Sequence, residues 1–290
     1  LMDARSIAAT AQNHGRLTSA FELENPPADP VYEDYFFDDT PYRSRVYRGV
    51  GMPKPEAALI FGPNIADWPK MYDMTENLLI RVASAIYDPV TTTDELIPSG
   101  ETSSYRSNPV KLSSFALSRK DPAYVPRAKE ISALEAKRRD GDLKLSDLSV
   151  DNLPDIDFGK TSIGSAVFAL KPGDGSAREQ AASCQRVLGG VANIAEEYAT
   201  KRYRANVVNW GMLPFVLDNA SMYKIKPGDY IYIEGIKSFL EGDGETIDAL
   251  LISGEKKTEI RLSLPAITRE EREIILSGSL INYYARQNNG

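Results

Sequence analysis

The sequence predicts a mixed α/β protein, and two features of its apolar pattern carry this prediction. In the middle of the chain, short apolar runs typical of strands alternate with longer segments rich in helix-forming residues. Nearer the C-terminus, strand-like runs follow one another with little helix between them. The 290 residues are enough for one large domain, or for one domain with a smaller attachment.

The first 76 residues hold one predicted helix and a long irregular stretch. Residues 1–14 have the composition of a helix, and Gly15 is placed to end it. The stretch 23–55 is rich in proline, acidic and aromatic residues without periodicity, which is typical of a linker or of a strap packed over another domain. Four aromatic residues favour the strap, because disordered linkers contain few of them: Tyr32, Tyr35, Phe36 and Phe37.

From residue 77 onward, strands and helices are predicted in order. Apolar runs indicate strands at 77–86, 163–170, 191–194, 229–235, 247–253 and 258–264. Helix-forming composition indicates helices at 126–141, 177–187, 196–207 and 268–278, and a last short helix near the C-terminus. Asn108 followed by proline predicts one more helix start, and Thr268 followed by acidic residues has the pattern of a helix cap.

Composition and charge exclude several functional classes. A net charge of −7 opposes general nucleic-acid binding, which requires a basic face. No apolar run is long enough for a membrane span, so we expect no membrane partner. The single cysteine excludes an internal disulfide and favours a reducing, cytoplasmic location. The single histidine leaves no Ser-His-Asp triad within this chain.

The turn GDGSAR at 173–178 is the first candidate site. Glycines at 173 and 175 permit a tight turn and a close approach of a ligand to the backbone. Ser176 is predicted near the cap or first turn of the following helix, where free N–H groups favour an anion. Arg178 adds a guanidinium that pairs with a carboxylate or phosphate. An ordinary strand–turn–helix junction is the competing interpretation.

The loop 88–109 is the second candidate site, because it holds threonines, serines, Asp94 and Arg106 with few apolar residues. A solvated polar turn is the competing interpretation. Leu96 and Ile97 flank Asp94 and favour partial burial of its surroundings. Together the two loops offer a set of groups suited to a small polycarboxylate. The chain has no GxxxxGK[ST] loop, and GDGSAR lacks the spacing of a dinucleotide-binding turn.

These blocks resemble a known family. PVTTTDELIPSG with YRSN, GDGSARE, RVLGGVANI, YRANVVNWGMLPF, KPGDYIYIEGI and ILSGSLINYY are similar to segments of the C-terminal swivelling domain of aconitase-family iron–sulphur hydro-lyases. The resemblance implies a three-layer β/β/α swivelling domain at 77–290, preceded by a helix and an irregular linker. Residues 1–76 would be the end of the preceding cluster-bearing domain and the interdomain linker. The first residue, Leu1, adds to the expectation of a fragment.

The resemblance also implies roles for the candidate residues. Ser176 would be the base that removes a proton from the substrate carbon, and Arg178 and Arg106 would hold substrate carboxylates. Thr93 and Asp94 would face the same cleft and orient the hydroxyl or the arginines. Three positions depart from the family pattern: Ala177 replaces a serine of the substrate site, and Glu95 and Gln180 replace histidines.

The implied function is reversible dehydration of a di- or tricarboxylic hydroxy acid such as citrate or isocitrate. The [4Fe–4S] cluster of the complete enzyme would be held by upstream domains of the same protein, since one cysteine cannot supply three thiolates. We therefore expect this chain alone to be inactive. One alternative is a separate small subunit of an isopropylmalate-type dehydratase. Another is a non-catalytic aconitase-like binding or regulatory protein.

Overall fold

A computed structural model of the chain describes residues 1–22, 36–45, 51–58, 60–100, 102–150, 152–176 and 179–288. The chain divides into two units, Leu1–Leu59 and Ile60–Gly290. The predicted boundary between a preceding domain and a swivelling domain at 76/77 is a different division, and it stays a prediction. Within the described residues, no helix has both the length and the apolar character that crossing a membrane requires.

The first unit contains two α-helices in its described part, α1 (Ala4–Gln12) and α2 (Thr40–Arg45). The Asp3 carboxylate caps α1 by accepting hydrogen bonds from two N–H groups of its first turn. Gly15 follows with φ +84°, which confirms the predicted helix and its end. Tyr32 and Tyr35 lie outside the described residues, and Phe36 and Phe37 are exposed, so the strap stays a prediction.

The second unit alternates strands and helices along its first half. Its described strands are β1 (Asn77–Ile86), β2 (Thr91–Thr92), β3 (Thr161–Ala169), β4 (Pro172–Asp174), β5 (Gly190–Ala195), β6 (Leu213–Val216), β7 (Tyr230–Ile233), β8 (Thr246–Ser253) and β9 (Lys256–Ser263). Its described α-helices are α3 (Thr93–Leu96), α4 (Pro109–Ser113), α5 (Tyr124–Asp140), α6 (Gln180–Val187), α7 (Lys201–Asn209), α8 (Ile236–Glu241), α9 (Arg269–Leu276) and α10 (Leu280–Asn288).

Seven of these strands form a closed barrel in the order β1-β3-β5-β6-β9-β8-β7. The first four run parallel to one another, and the remaining pairings are antiparallel. Strands β2 and β4 form a separate parallel pair. The mixed α/β class is therefore confirmed. The observed sheet is a closed barrel, so the finer three-layer β/β/α description is not what this hydrogen-bonding pattern gives, and it stays a prediction.

Alternate residues of each strand supply two apolar cores. Leu78, Ile80 and Val82 of β1 join a cluster to which all seven barrel strands contribute, and this cluster fills the barrel. Leu79 and Ala83 point the other way, into a cluster with residues of α4, α5, α6 and α7. Helix α5 packs directly against β1 and β3.

The ends of two predicted helices needed correction. The helix predicted at 196–207 begins at Lys201, because the Thr200 hydroxyl caps it and the preceding N–H groups bond elsewhere. Glu196 N–H donates to the carbonyl of Leu170, and Ala199 N–H donates to that of Pro172. The helix predicted at 177–187 begins at Gln180. The caps at Asn108 and Thr268 are confirmed, each with its side chain accepting a helix N–H.

Candidate functional site

The two candidate loops follow two neighbouring parallel strands. Strands β1 and β3 pair in register to their last residues, where Ile86 lies opposite Ala169. The carboxyl ends of parallel neighbours lie at the same edge of a sheet, and this edge is the common position of binding sites in α/β proteins. The topology therefore brings together the loop 88–109 and the turn 173–176.

A short ladder joins the two loops directly. Thr91 pairs with Pro172, and Thr92 pairs with Asp174, in the two-stranded sheet β2–β4. Just beyond it, the hydroxyl of Thr93 donates a 2.6 Å hydrogen bond to the carbonyl oxygen of Ser176. Thr93 is 1% exposed, so water does not compete for this bond. Two of the predicted site residues are thus in contact, although Thr93 contacts the backbone of Ser176 and not its hydroxyl.

The position of Ser176 corrects the sequence prediction. Helix α6 begins at Gln180, four residues later, so Ser176 lies outside its first turn. Glu179 has φ −55° and ψ −39° and directly precedes the helix. The carbonyl of Ser176 accepts the hydrogen bond from the Thr93 hydroxyl, so it connects the turn to the loop that follows β1. The side chain of Ser176 is exposed to solvent, as a group that meets a ligand must be.

Gly173 is required by the packing beneath the turn. Its φ is +93°, and a Cβ there would lie 2.4 Å from the Tyr203 side chain. The carbonyl of Gly173 also accepts a 2.9 Å hydrogen bond from the hydroxyl of Thr200, the cap residue of α7. The turn therefore rests on the first turn of α7, and only glycine permits this close approach.

Tyr203 is held by a closed triangle of buried hydrogen bonds. Its hydroxyl donates to Asn193 at 2.8 Å, Asn193 donates to Gln185 at 2.8 Å, and Gln185 donates to the Tyr203 hydroxyl at 2.9 Å. All three side chains are at most 2% exposed. Burial raises the pKa of Tyr203 above its ordinary value, so its hydroxyl stays a proton donor. The triangle fixes the surface on which the glycine turn packs.

Asp94 lies beside a cation that the sequence analysis did not single out. Its Oδ2 is 3.3 Å from a guanidinium nitrogen of Arg119. Its Oδ1 accepts hydrogen bonds from the N–H and hydroxyl of Ser99. The expected burial is correct for the neighbours Leu96 and Ile97, but the Asp94 side chain itself is 44% exposed. Asp94 is therefore paired with Arg119, and its predicted role toward Arg106, Arg178 or a substrate hydroxyl stays a prediction.

Glu95, one of the departures from the family pattern, caps a helix instead of facing a ligand. It forms a capping box with Thr92, in which each side chain accepts the other's backbone N–H. Lys120 binds its second oxygen at 3.0 Å. Partial burial favours the neutral acid, but the bonds from Thr92 and Lys120 outweigh it and hold the pKa of Glu95 below its ordinary value.

Arg106 lies at a small pocket of 220 Å³ next to α6. Gln180, at the start of that helix, lines the same pocket with Ser99 and Thr102. Arg106 is exposed, so its guanidinium is available to an anion. The structure thus brings Arg106 to the N-terminal end of α6, while Ser176 lies outside the pocket lining. Ala177 and Arg178 lie outside the described residues, and their assigned roles stay predictions.

The residues of this chain do not fit an iron–sulphur cluster. Cys184 is 2% exposed within the core, and burial raises the pKa of its thiol. A metal-binding thiol must instead lose its proton readily. Among the described residues, no group of three or more His, Cys, Asp or Glu side chains is arranged to hold a metal ion.

Sequence reasoning missed Arg119, Lys120 and the triangle beneath the turn. Arg119 and Lys120 reach α3 because the N–H of Leu117 donates to the carbonyl of Leu96. The contacts of Arg119 with Asp94 and of Lys120 with Glu95 each span 25 positions in sequence, and no local spacing predicts them. The triangle residues each resemble ordinary core positions when read one at a time. The polar Asn193 inside a predicted strand was the available signal, because buried polar groups require partners.

The segment around the turn is similar to segments of known proteins. Residues 159–220 match the family model described as "Aconitase C-terminal domain". The chain is 31% identical over 114 residues to "Aconitate hydratase, mitochondrial" of Schizosaccharomyces pombe, covering 39% of this chain and 14% of that protein. It is 33% identical over 115 residues to "Methanogen homoaconitase small subunit" of Methanocaldococcus jannaschii, covering 40% of this chain and 58% of that protein.

A solved structure is also similar, the "3-isopropylmalate dehydratase" of Methanocaldococcus jannaschii, with 21% identity and a TM-score of 0.47. That comparison covers 73% of this chain and 96% of the other. The matched family segment contains Ser176 and the strands and helices around it. Thr93, Asp94 and Arg106 lie outside the matched segment, and their assigned roles stay predictions.

Proposed function

We propose that this chain, whose residues 159–220 belong to an aconitase C-terminal domain, is part of a hydro-lyase acting on a di- or tricarboxylic hydroxy acid. The hydrogen bond from Thr93 to Ser176 is the observation that carries the proposal. It joins the turn in the matched segment to a second polar loop outside it. A hydroxyl, an acid and exposed cations then lie at one edge of the sheet, as this substrate class requires.

In the proposed reaction, Ser176 removes the proton from the carbon next to the one that bears the hydroxyl. The electron pair of that C–H bond forms the double bond as the hydroxyl leaves and takes up a proton to become water. A serine hydroxyl is a weak base, so its alkoxide must be stabilised by nearby donors. Arg106 binds one substrate carboxylate, and Arg178 a second, by paired hydrogen bonds. Asp94 and Thr93 position Arg119 and the turn.

The leaving hydroxyl must be activated from outside this chain. The family relationship implies a [4Fe–4S] cluster, and its three protein thiolates lie elsewhere, because the chain has one cysteine. The partner is therefore a cluster-bearing region, either upstream in the same protein or on a separate subunit. The match to the homoaconitase small subunit, which covers 58% of that protein, supports the separate-subunit arrangement as the second candidate.

Three finer features belong to the same proposal. We assign the cluster-free domain to 77–290, with 1–76 as the end of the preceding domain and the linker. We also assign to this domain the three-layer β/β/α arrangement of the family, in which helices form the layer that covers the sheet. A cytoplasmic location remains our proposal from the single cysteine, and several related proteins carry "mitochondrial" in their names.

The test is turnover by the chain together with a cluster-bearing partner. The chain is co-expressed with cluster-bearing domains, joined to it or as a separate subunit, and reconstituted without oxygen with iron and sulphide. Formation of the enoate is followed in the ultraviolet for citrate-like, homocitrate-like and malate-like acids. We expect turnover on at least one acid. A loaded cluster with no turnover on any of them would contradict the proposal and favour a binding or regulatory protein.

A further inference from the structure

A second pocket lies on another part of the barrel, away from the turn that carries Ser176. It has a volume of 320 Å³ and is bounded by residues 69–74, by α5 and by the C-terminal end of α6. A more open pocket of 860 Å³ adjoins it and shares six lining residues, Lys70, Met71, Tyr72, Asp73, Glu135 and Arg139. The smaller pocket has the size of a site for a small metabolite.

The charges that line these two pockets are unbalanced. They comprise five cations, Lys70, Arg138, Arg139, Arg186 and Arg286, and two carboxylates, Asp73 and Glu135. A local excess of positive charge is notable in a chain whose net charge is −7. This part of the surface therefore attracts anions that the rest of the protein repels.

Both carboxylates are already neutralised. Glu135 forms a two-pronged ion pair with Arg138, with N–O distances of 2.7 and 2.8 Å, and also accepts the N–H of Ile163. Asp73 pairs with Arg286. Arg139 approaches Glu135 only at 3.7 Å. The two carboxylates balance two of the five cations, and Lys70, Arg139 and Arg186 account for the excess positive charge.

Uncharged groups hold Arg186 in place and lie beside Lys70 and Arg139. Arg186 donates to the carbonyl oxygens of Tyr72, Gly190 and Gly278 at 3.0 to 3.3 Å. Burial lowers the pKa of Arg186 to about 10, so it remains charged at neutral pH. The ring of Tyr72 lies 3.8 Å from the Arg139 guanidinium and 5.2 Å from the Lys70 ammonium. These contacts orient the cations without cancelling their charge.

We propose that this pocket binds a small polyvalent oxyanion, a phosphate or polycarboxylate compound, through Lys70, Arg139 and Arg186. Three cations fixed around a concave site suit a ligand with two or more negative charges. Arg186 lies in the last turn of α6, whose first residue, Gln180, lines the Arg106 pocket. The site is thus separate from the proposed substrate site, and it does not depend on the hydro-lyase assignment.

Calorimetry on the 290-residue chain at low ionic strength tests this, with pyrophosphate and citrate as separate probes. The test variant is Lys70→Gln/Arg139→Gln, which leaves the structural contacts of Arg186 in place. The control Lys256→Gln/Arg261→Gln removes the same charge from β9, outside both pockets. Arg106→Gln tests whether citrate binds at the substrate loops instead. Thermal unfolding establishes that each variant is folded.

We expect the wild type and the β9 control to bind at least one probe, and the test variant to bind it at least tenfold more weakly. The probe that binds more tightly identifies the phosphate or the carboxylate class. Hydrogen exchange of residues 69–74 should slow when the probe is bound. Equal affinities in the wild type and the test variant would overturn the proposal. Loss of citrate binding only in Arg106→Gln, or no binding of either probe, would also overturn it.

Discussion

The hydroxyl of Thr93 donates a 2.6 Å hydrogen bond to the carbonyl oxygen of Ser176, across 83 positions of sequence. This bond and the β2–β4 ladder hold the glycine turn against the loop that follows β1. A serine that acts on a bound acid must be held in one geometry, because small displacements cost large factors in rate. The contact supplies that restraint through the backbone and leaves the Ser176 side chain accessible.

Thr93→Val should loosen the turn with little change in shape. Valine fills the same volume but leaves the Ser176 carbonyl without its buried donor, so we expect a loss of about 1 kcal/mol in unfolding free energy. Hydrogen exchange at residues 173–176 should become faster. Thr102→Val is the matched control, because this buried threonine donates to the carbonyl of Pro98 in its own loop. Equal exchange rates at the turn in both variants would count against the restraint.

Gly173→Ala should be more destabilising than an ordinary glycine replacement. A positive φ costs alanine about 1–2 kcal/mol, and overlap with the Tyr203 side chain adds about 1–3 kcal/mol. Gly228→Ala is the control, because Gly228 has φ +96° and nothing within 4 Å of the added Cβ. Denaturant unfolding measures both variants. Equal losses of unfolding free energy in the two variants would show that contact with Tyr203 does not constrain the turn.

Tyr203→Phe should remove two of the three hydrogen bonds of the buried triangle. It removes the donor to Asn193 and the acceptor for Gln185, and each buried group left without a partner costs about 1–3 kcal/mol. Tyr87→Phe, which removes a half-exposed hydroxyl bonded to the carbonyl of Ile225, should cost less than about 1 kcal/mol. Chemical denaturation of the two variants compares them. A Tyr203→Phe protein as stable as Tyr87→Phe would contradict the account.

Glu179→Gln should increase stability at neutral pH. Burial raises the pKa of Glu179 above its ordinary value of 4.5, and this effect outweighs the opposing contributions of Ser183 and Trp210. The folded state therefore binds the proton more tightly than the unfolded state, and stability falls as pH rises above 4.5. Glutamine cannot ionise, so the gain should be present at pH 7.5 and shrink toward pH 4. Denaturant unfolding at both values measures it, and a gain that grows on acidification would be the contrary result.

Local pattern was sufficient to predict the elements that carry their own signals. Strand β1 was predicted with the bounds that the structure has, because seven of its ten residues are apolar. The start of α9 followed from the Thr268 capping box. The starts of α6 and α7 were misplaced, because contacts distant in sequence decide them. Thr93 donates to the Ser176 carbonyl. The carbonyls of Leu170 and Pro172 accept the N–H groups of residues 196, 197 and 199, which precede the Thr200 cap.

Individual residues of the candidate site could be predicted from the sequence, but the contacts between them could not. The sequence singled out Ser176, Asp94, Arg106 and Thr93, and the topology places their loops at one edge of the sheet. Arg119 was missed, because only the folded chain brings it to Asp94. Residue types alone do not determine which groups in these loops form hydrogen bonds with each other. Glu95, which replaces a histidine of the family pattern, caps α3 and binds Lys120.

The measurement that tests the central claim most directly is the turnover number of Ser176→Ala beside Ser183→Ala, in the chain reconstituted with its cluster-bearing partner. Ser183 is a buried serine of α6, so it controls for the loss of a hydroxyl. If Ser176 is the base, its alanine variant should lose about 10² to 10⁴-fold in kcat, while Ser183→Ala keeps most of its activity and both variants bind substrate. Turnover by Ser176→Ala at the rate of the wild type would contradict the account.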